Sequence, residues 1–250
     1  MTTLQFAPGD YRFIPSVFQY SGGAAAEPGY AIERVTFRVP VPLVQGFARV
    51  EAIIRERGRP LTSFCACELR SPAPFTEAGF RAFNEIYVGT LARWGVYDPA
   101  GRTNPVARSN VCPEIDPPRE PVFHAFCFTV PAPGASGSFV VSGSGEAPEG
   151  KGRYGDFIVA RGDTSPEGMR AKAVAVLGEM ERRMALLGFE WAGTGAVQLY
   201  TVHDIHSFMG DEIVRRGAAR NGLTWHFARP PVVELEYEMD CRSVDIEHVT

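Results

Sequence analysis

An arginine inside a short apolar run of the sequence needs a physical explanation. Arg108 lies in the stretch NPVARSNVCPEIDPP, residues 104–118, whose valines and isoleucine are typical of a β-strand and which ends at paired prolines. A lone arginine in a strand is most often a solvated, outward-facing residue. A guanidinium on a rigid strand also presents a planar fork of donors that pairs bidentately with a carboxylate. The pattern thus leaves two interpretations, a surface residue or a carboxylate clamp in a pocket.

Acidic residues are the second group with potential chemistry. The run ELEYEMD carries four of them at alternate positions, which places them on one face of a predicted strand. They are Glu234, Glu236, Glu238 and Asp240. Four carboxylates in a row usually form a solvated edge, but one that faces a pocket can orient and deprotonate water. Glu236 is our candidate for this role, and Glu146 is the second.

Other motifs that suggest a site have simpler interpretations. The run HDIH, residues 203–206, ends a predicted strand and starts a predicted helix, which favours a helix cap over a metal site. The glycine-rich run GSGEAPEG, residues 143–150, is not followed at once by a helix, so it does not fit a phosphate-binding loop. We therefore expect neither a metal nor an organic cofactor.

Composition and charge limit the partners. The net charge of −4 and the lack of a long basic run argue against nucleic acid as the main partner. No leader pattern and no apolar run near 20 residues is present, so we expect a cytoplasmic protein that does not bind a membrane. The five cysteines are odd in number and contain no CxxC pair, which predicts reduced, buried thiols.

The elements that must position these residues follow one order in the first half of the chain. Apolar residues at helical spacing predict helices over 42–58 and 80–95. Strands are predicted over 30–39, 61–69, 106–112 and 121–130. The first half is thus predicted to run β-α-β-α-β-β.

The second half repeats that order. Helices are predicted over 165–188, with Ser165 as the cap, and over 207–222. Strands are predicted over 138–146, 195–202, 223–228 and 231–241. A β-α-β-α-β-β unit thus occurs twice at a period of roughly 120 residues, joined by the connector PAPGASG. We predict an α+β fold of two tandem domains, residues 1–130 and 131–250, each with helices packed on one face of a mixed sheet.

Local motifs in both halves resemble the RidA (YjgF) family of imine and enamine deaminases, here in tandem-duplicated form. VVSGSGE, residues 140–146, resembles the apolar-Ser-Gly strand end of that family, and QYSGG, residues 19–23, is similar to its N-terminal Tyr-Ser. VARSNV, residues 106–111, matches its Ala-Arg-Ser strand. The resemblance covers nearly the whole chain and implies a chorismate-mutase-like fold in each half.

The resemblance also implies roles for individual residues. Arg108 corresponds to the carboxylate-binding arginine of the family, and Tyr20 supplies a phenol at the cleft. Ser142 and Gly143 end a strand whose backbone groups hydrogen-bond the substrate. His124 stands in the first half where the family has its closing-strand acid. The second-half counterpart of that acid is Glu236, or Glu234 or Glu238 depending on a one-residue gap. Each half thus holds part of one site, and we expect Arg108 to face a cleft between the N-half and the C-half.

The resemblance implies an enzyme that hydrolytically deaminates a carboxylate-bearing enamine or imine, with 2-aminomuconate-type substrates of aromatic catabolism as one possibility. An arginine holds the carboxylate, an acid activates water, and ammonia leaves without a cofactor. Two alternatives stay open: a chorismatase-like enzyme and a non-catalytic ligand-binding or chaperone-like module. Family clefts lie in rings of three repeats, so three duplicated chains would fill two stacked rings. This predicts a homotrimer with pseudo-sixfold character.

Overall fold

The computed structural model describes residues 2–135 and 137–250, so Ser136 of the predicted connector lies outside the described residues. These residues form two mixed β-sheets and four helices. The strands are β1 (Leu4–Phe6), β2 (Tyr11–Phe13), β3 (Gly23–Ala26), β4 (Tyr30–Pro42), β5 (Phe64–Arg70), β6 (Ala107–Pro113), β7 (Val122–Pro131), β8 (Phe139–Gly145), β9 (Ala196–Tyr200), β10 (Thr224–His226), β11 (Ala228–Arg229), β12 (Glu238–Ser243) and β13 (Ile246–Val249). The helices are α1 (Leu43–Glu56), α2 (Glu77–Arg93), α3 (Pro166–Leu187) and the single turn α4 (His206–Phe208), which continues as a π-helical segment (Met209–Val214). None of the described helices is long and apolar enough to span a membrane.

The same strand order occurs in both halves of the chain. One sheet contains the neighbouring strands β4-β7-β5-β6, and the other contains β8-β12-β9-β10. β4 and β8 are the first strands of the two repeats. In both, the first strand pairs antiparallel with the last, and the two middle strands pair parallel with each other. The predicted α+β fold with a tandem repeat is confirmed.

Local sequence explains where the longest helix begins and ends. The Ser165 side chain accepts a hydrogen bond from the backbone N–H of Gly168 at 3.2 Å and so caps α3. At the other end, Gly188 adopts a left-handed conformation with φ of 87°, which a residue without a Cβ reaches at no steric cost. The capping residues expected from the sequence are the ones used.

Helices cover one face of each sheet, as the repeat predicts. Phe47 of α1, Tyr87 of α2 and Phe123 of β7 belong to one apolar core. A second core holds residues of α3 and its sheet, among them Val176, Met180, Leu199 and Met239. The opposite faces of the two sheets lie against each other. A hydrogen bond of 3.3 Å from the side-chain amide of Gln198 in β9 to Glu68 of β5 joins them.

Terminal segments cross between the two halves. β3, near the N-terminus, pairs with β8 in the sheet of the second half. β13, near the C-terminus, pairs with β4 in the sheet of the first half, and β11 extends that same sheet beside β6. The division into residues 1–130 and 131–250 stays a prediction about the repeats, and the strands at both termini join the opposite half.

Two predicted elements of the second half are shorter than expected. The helix predicted over 207–222 is helical only to Val214 and continues as turns. The strand predicted over 231–241 begins only at Glu238. Pro231 has no N–H for a sheet ladder, and Glu234 adopts a left-handed conformation with φ of 75°. Glu234 and Glu236 therefore do not share a strand face with Glu238.

Candidate active site

Arg108 is buried in a cage of aromatic rings. It is 2% exposed, which excludes the surface interpretation. Its guanidinium carbon lies 4.7 Å from the ring centroid of Tyr87, 5.0 Å from Tyr20, 5.7 Å from Phe80 and 5.8 Å from Phe83. Both terminal nitrogens, Nη1 and Nη2, have no hydrogen-bond partner among the described residues. A buried charge is stable only when it is paired, so this arrangement calls for an anionic ligand, and the planar fork favours a carboxylate.

Asn110 adds a further free donor on the same face of β6. Its Oδ1 accepts from the hydroxyl of Ser71 at 2.9 Å, which orients the amide. Its Nδ2 is buried with no hydrogen-bond partner among the described residues. Ser109, between Arg108 and Asn110, faces the other way and donates to Asp240, as strand alternation requires.

The end of β8 brings the second half against β6. The Ser142 hydroxyl donates to the carbonyl of Ser21 at 2.6 Å and accepts from the backbone N–H of Arg108 at 3.1 Å. A Cβ at Gly143 would overlap Oε1 of Glu238 and lie 3.3 Å from Cα of Ser109. Glycine at this position therefore permits both the approach of the two strands and the observed placement of the Glu238 carboxyl.

Glu238 lies in the same cavity wall as Arg108, on β12 of the second half. It is 4% exposed and has no ion-pair partner among the described residues. Burial is the main cause that raises the pKa of Glu238 well above its usual range, and the charges of Asp240 and Glu149 add to it. The charge of Arg108 opposes this shift. A carboxyl in this environment can hold a proton that an ordinary glutamate has lost, and can donate it to a ligand.

These groups enclose a small cavity between the two halves of one chain. Its volume is about 30 Å³. Its polar walls are formed by Arg108, Asn110, Glu149, Tyr154 and Glu238. Its apolar walls include Phe80, Ala147, Val232 and Leu235. The arrangement can hold a carboxylate at one end and exchange protons with the bound molecule.

The structure places Glu236 outside this cavity wall. Its Oε2 lies 2.7 Å from Nε2 of His203 and 3.2 Å from Nη1 of Arg229. Arg229 in turn pairs with Glu114 at 2.8 Å. The side chain thus belongs to a partly exposed network of charges, away from Arg108.

Glu146 is buried in an ion pair. Its Oε1 lies 3.2 Å from Nζ of Lys172, and both side chains are fully inaccessible to solvent. It also accepts from the backbone N–H groups of Glu236 at 2.7 Å and Tyr237 at 3.2 Å. Burial is the main cause that raises the pKa of Glu146. These contacts anchor the segment that leads into Glu238, and Glu146 does not line the Arg108 cavity.

The remaining predicted residues divide between this cavity and the space between the sheets. Tyr20 packs its ring on Arg108 and lines the cavity. Gly143 lines the cavity too, whereas the Ser142 hydroxyl is used in the contacts given above. His124 of β7 is beside Arg70 and Glu68, where burial and then the charge of Arg70 lower its pKa to about 4. The structure thus brings together Arg108, Tyr20 and Gly143, but not Glu236, Glu146 or His124.

Sequence reasoning missed four polar groups of the cavity, and one of them, Tyr154, lies in a single 3-10 turn that carries no usable pattern. Asn110 had a usable signal, because it follows Arg108 by two positions in a predicted strand and must share its face. Glu238 was one of four acids that the strand pattern could not separate. Glu149 lies in a loop, where no periodicity applies. No group of three or more metal-ligating side chains is found in the described part of the chain.

Comparison with known proteins gives a consistent result over the full chain. A sequence profile described as "2-aminomuconate deaminase CnbZ" matches residues 3–248. The 2-amino-5-chloromuconate deaminase of Comamonas testosteroni is 54% identical over 246 residues, which cover 98% of this chain and 97% of that protein.

Two solved structures show more distant likeness. A chorismatase crystal structure aligns with a TM-score of 0.56 at 13% identity, covering 90% of this chain and 77% of that one. At this identity the likeness shows the fold alone. A putative endoribonuclease from Thermotoga maritima aligns over 43% of this chain and 79% of that one, at 19% identity and a TM-score of 0.33.

Proposed function

Since the chain belongs to the CnbZ family of 2-aminomuconate deaminases, we propose that it hydrolytically deaminates a 2-aminomuconate-like dicarboxylate and releases ammonia. The observation that carries this proposal is the buried fork of Arg108, whose free nitrogens line the same cavity as the buried carboxyl of Glu238. One group binds the anion, and the other moves protons.

Arg108 binds the substrate carboxylate next to the amine-bearing carbon. Two charge-assisted hydrogen bonds from Nη1 and Nη2 fix the orientation of that end. The free Nδ2 of Asn110 donates a further hydrogen bond to the same end of the substrate. The aromatic rings around Arg108 exclude water, which strengthens these contacts.

Glu238 supplies the acid–base function. In its protonated form it donates to the enamine carbon, which forms a C–H bond and leaves an iminium at the neighbouring carbon. Water then adds to the iminium carbon, one proton moves to nitrogen, and the C–N bond breaks to give a ketone and ammonia. The steps are proton transfers, the addition of water and the elimination of ammonia, so we propose a cofactor-independent hydrolase. Glu238 thus replaces Glu236 and Glu146 as our acid candidate.

The chemistry of the cavity lining suits the substrate of the Comamonas relative, although the volume of about 30 Å³ must widen to admit it. That protein is described as acting on 2-amino-5-chloromuconate, whose chlorine needs an apolar contact. Phe80, Val232 and Leu235 provide such a wall beside Arg108. We propose that both muconates, with and without chlorine, are accepted.

Assembly as a homotrimer also stays our proposal. In the first half, the edge of β6 is covered, because Ser21 bridges Ala107 and Ser142 binds Arg108. The corresponding strand of the second half, β10, carries Trp225, which is 37% exposed, and nearby Phe227 is 51% exposed. A second copy would cover this edge as the first half is covered. A cytoplasmic location stays a prediction.

Ammonia release tests the proposed function directly. Purified protein is incubated with 2-aminomuconate or 2-amino-5-chloromuconate, and ammonia is measured with coupled glutamate dehydrogenase. We expect multiple turnovers with both substrates without added metal or cofactor. Binding of 2-aminomuconate without any release above the enzyme-free rate would contradict the proposal and support the non-catalytic module instead.

A further inference from the structure

We propose that Glu149 is a second catalytic carboxylate, the base that removes a proton from the attacking water. The proposal rests on the deaminase function proposed above and adds a residue to it. Glu149 follows β8 in a loop and lines the small cavity together with Arg108 and Glu238.

Glu149 also lines a second, larger cavity, and it is the one ionisable residue among the three, with Gly145 and Ala147, that line both. That cavity has a volume of about 490 Å³ and lies between the end of β8 and α3. Its lining includes the exposed Lys151 and the half-exposed Arg182, so it reaches the protein surface. In this proposal the attacking water comes from that cavity and meets the Glu149 carboxylate first.

Two donors hold the Glu149 carboxylate in place. The Ser16 hydroxyl donates to Oε2 at 2.7 Å, and Nη2 of Arg183 lies 3.1 Å from Oε1. The side chains of Glu149 and Arg183 are 9% and 3% exposed, so the ion pair is shielded from solvent. These contacts fit a carboxylate that accepts hydrogen bonds, whereas Glu238 has no such cation in contact among the residues that the structure describes. The two glutamates therefore differ in their contacts, since Glu149 is held by a cation and a hydroxyl while Glu238 faces the cavity.

The electrostatic effect of Glu149 reaches the site residues. Burial is the first cause that raises the pKa of Glu238, Tyr20 and Tyr154, and the charge of Glu149 adds to the shift in all three. A negative charge at Glu149 thus helps Glu238 to keep its proton. The same charge attracts a proton from water that approaches the iminium carbon.

The two carboxyls then divide one balanced reaction. Glu238 gives its proton to the enamine carbon as the C=C pair forms the new C–H bond and the nitrogen becomes iminium. Water oxygen bonds to the iminium carbon while one of its protons passes to Glu149. Protonated Glu149 then gives its proton to the amine of the carbinolamine, the C–N bond breaks with its electron pair on nitrogen, and the hydroxyl proton passes to the ionised Glu238 to give the ketone. The sum is enamine plus water to ketone plus ammonia, with both carboxyls returned to their starting forms.

Separate measurement of the two stages tests this division. Loss of the conjugated enamine chromophore of 2-aminomuconate reports the protonation at carbon, and coupled glutamate dehydrogenase reports ammonia. In a single turnover with enzyme in excess over substrate, Glu149→Gln should release ammonia more slowly than the chromophore is lost by about a hundredfold or more, after subtraction of the enzyme-free reaction. Chromophore loss itself should stay within about threefold of wild type. Glu238→Gln should lose both stages together.

Glu179→Gln is the matched control, because Glu179 also pairs with Arg183, at 2.7 Å, but does not line the Arg108 cavity. It should release ammonia within about threefold of wild type. Equal losses in Glu179→Gln and Glu149→Gln, or normal ammonia release in Glu149→Gln, would overturn the proposal. If Glu149→Gln does not fold, Glu149→Asp keeps the charge, withdraws it by one methylene and is judged by the same two rates. Absence of ammonia release from wild type would refute the deaminase function instead.

Discussion

Arg108 offers the sharpest test of the proposed binding mode, through one substitution that keeps its charge and one that removes it. Arg108→Lys keeps a cation but loses the planar fork that binds a carboxylate at two points. A lost charge-assisted hydrogen bond is worth roughly 1.5–3 kcal/mol, and about 1.4 kcal/mol corresponds to a tenfold change. We therefore expect kcat/KM to fall by about ten- to a hundredfold in Arg108→Lys. Arg108→Met, which also removes the charge, should lose more.

The structure also predicts how loss of the Arg108 charge affects the stability of the fold. Without ligand, Arg108 is a buried cation whose terminal nitrogens have no partner among the described residues. Its four aromatic neighbours offset about 2 kcal/mol or more of the lost hydration, but an isolated buried charge still costs several kcal/mol. Arg108→Met should therefore leave the free energy of unfolding unchanged or raise it. For a chain of this size, a gain of about 1 kcal/mol raises Tm by about 2–4 °C.

The assay pairs steady-state ammonia release with thermal unfolding of each variant. Arg161→Lys is the control, because Arg161 is half-exposed and pairs with Glu234 at 2.8 Å; both of its readouts should match wild type. A variant at Arg108 that unfolds at lower temperature in proportion to its loss of activity would show that the arginine supports the fold. Full turnover in Arg108→Met would refute the clamp.

Four further results are expected. Gly143→Ala should lower kcat/KM by about tenfold or more with a small change in Tm, because its Cβ must displace the Glu238 carboxyl; normal kinetics would mean that this carboxyl is free to move. Lys172→Met should lower the free energy of unfolding by about 3–5 kcal/mol in chemical denaturation, since it leaves Glu146 buried without its cation. Because the pKa of Glu238 is raised in the folded state, the folded protein binds more protons than the unfolded chain at pH values above the ordinary glutamate pKa. The contribution of Glu238 to stability is therefore lost as pH rises through its folded-state pKa. The Glu238→Gln side chain cannot ionise, so the Tm of this variant should exceed the Tm of wild type by a margin that grows as pH rises. A margin that shrinks would contradict a raised pKa at Glu238. Sedimentation should show a trimer that Trp225→Asp converts to smaller species, and a monomeric wild type at micromolar concentration would exclude this assembly.

Most of the regular structure of this protein could be predicted from local sequence patterns. Apolar spacing at helical period, with a serine cap and a glycine end, was enough for α3, and similar spacing located α1 and α2. The repeated order of elements predicted the identical strand order of the two sheets, because equivalent segments with equivalent patterns fold alike. The alternation of side chains along β6 predicts that Arg108 and Asn110 lie on the same face of the strand.

The carboxyl that lies next to Arg108 could not be predicted from local patterns, because contacts between distant segments of the folded chain select it. Four acids at alternate positions predict one continuous strand, but Pro231 cannot donate to a ladder, and Glu146 takes the backbone N–H groups of Glu236 and Tyr237. The strand therefore starts at Glu238, and Glu236 turns toward His203. The partner that redirects the chain lies about ninety residues away in sequence, and local patterns do not report contacts over such separations.

The combination of residues from both halves in one cavity also depends on contacts between distant segments of the chain. Arg108 belongs to one repeat, and Gly143, Glu149 and Glu238 belong to the other, so no local window of sequence contains the cavity. Its geometry depends on how closely β8 approaches β6, which the absence of a side chain at Gly143 permits. Periodicity records which face of an element is buried. The distance between two elements is set by the packing of all the side chains between them, and that is determined only when the whole chain folds.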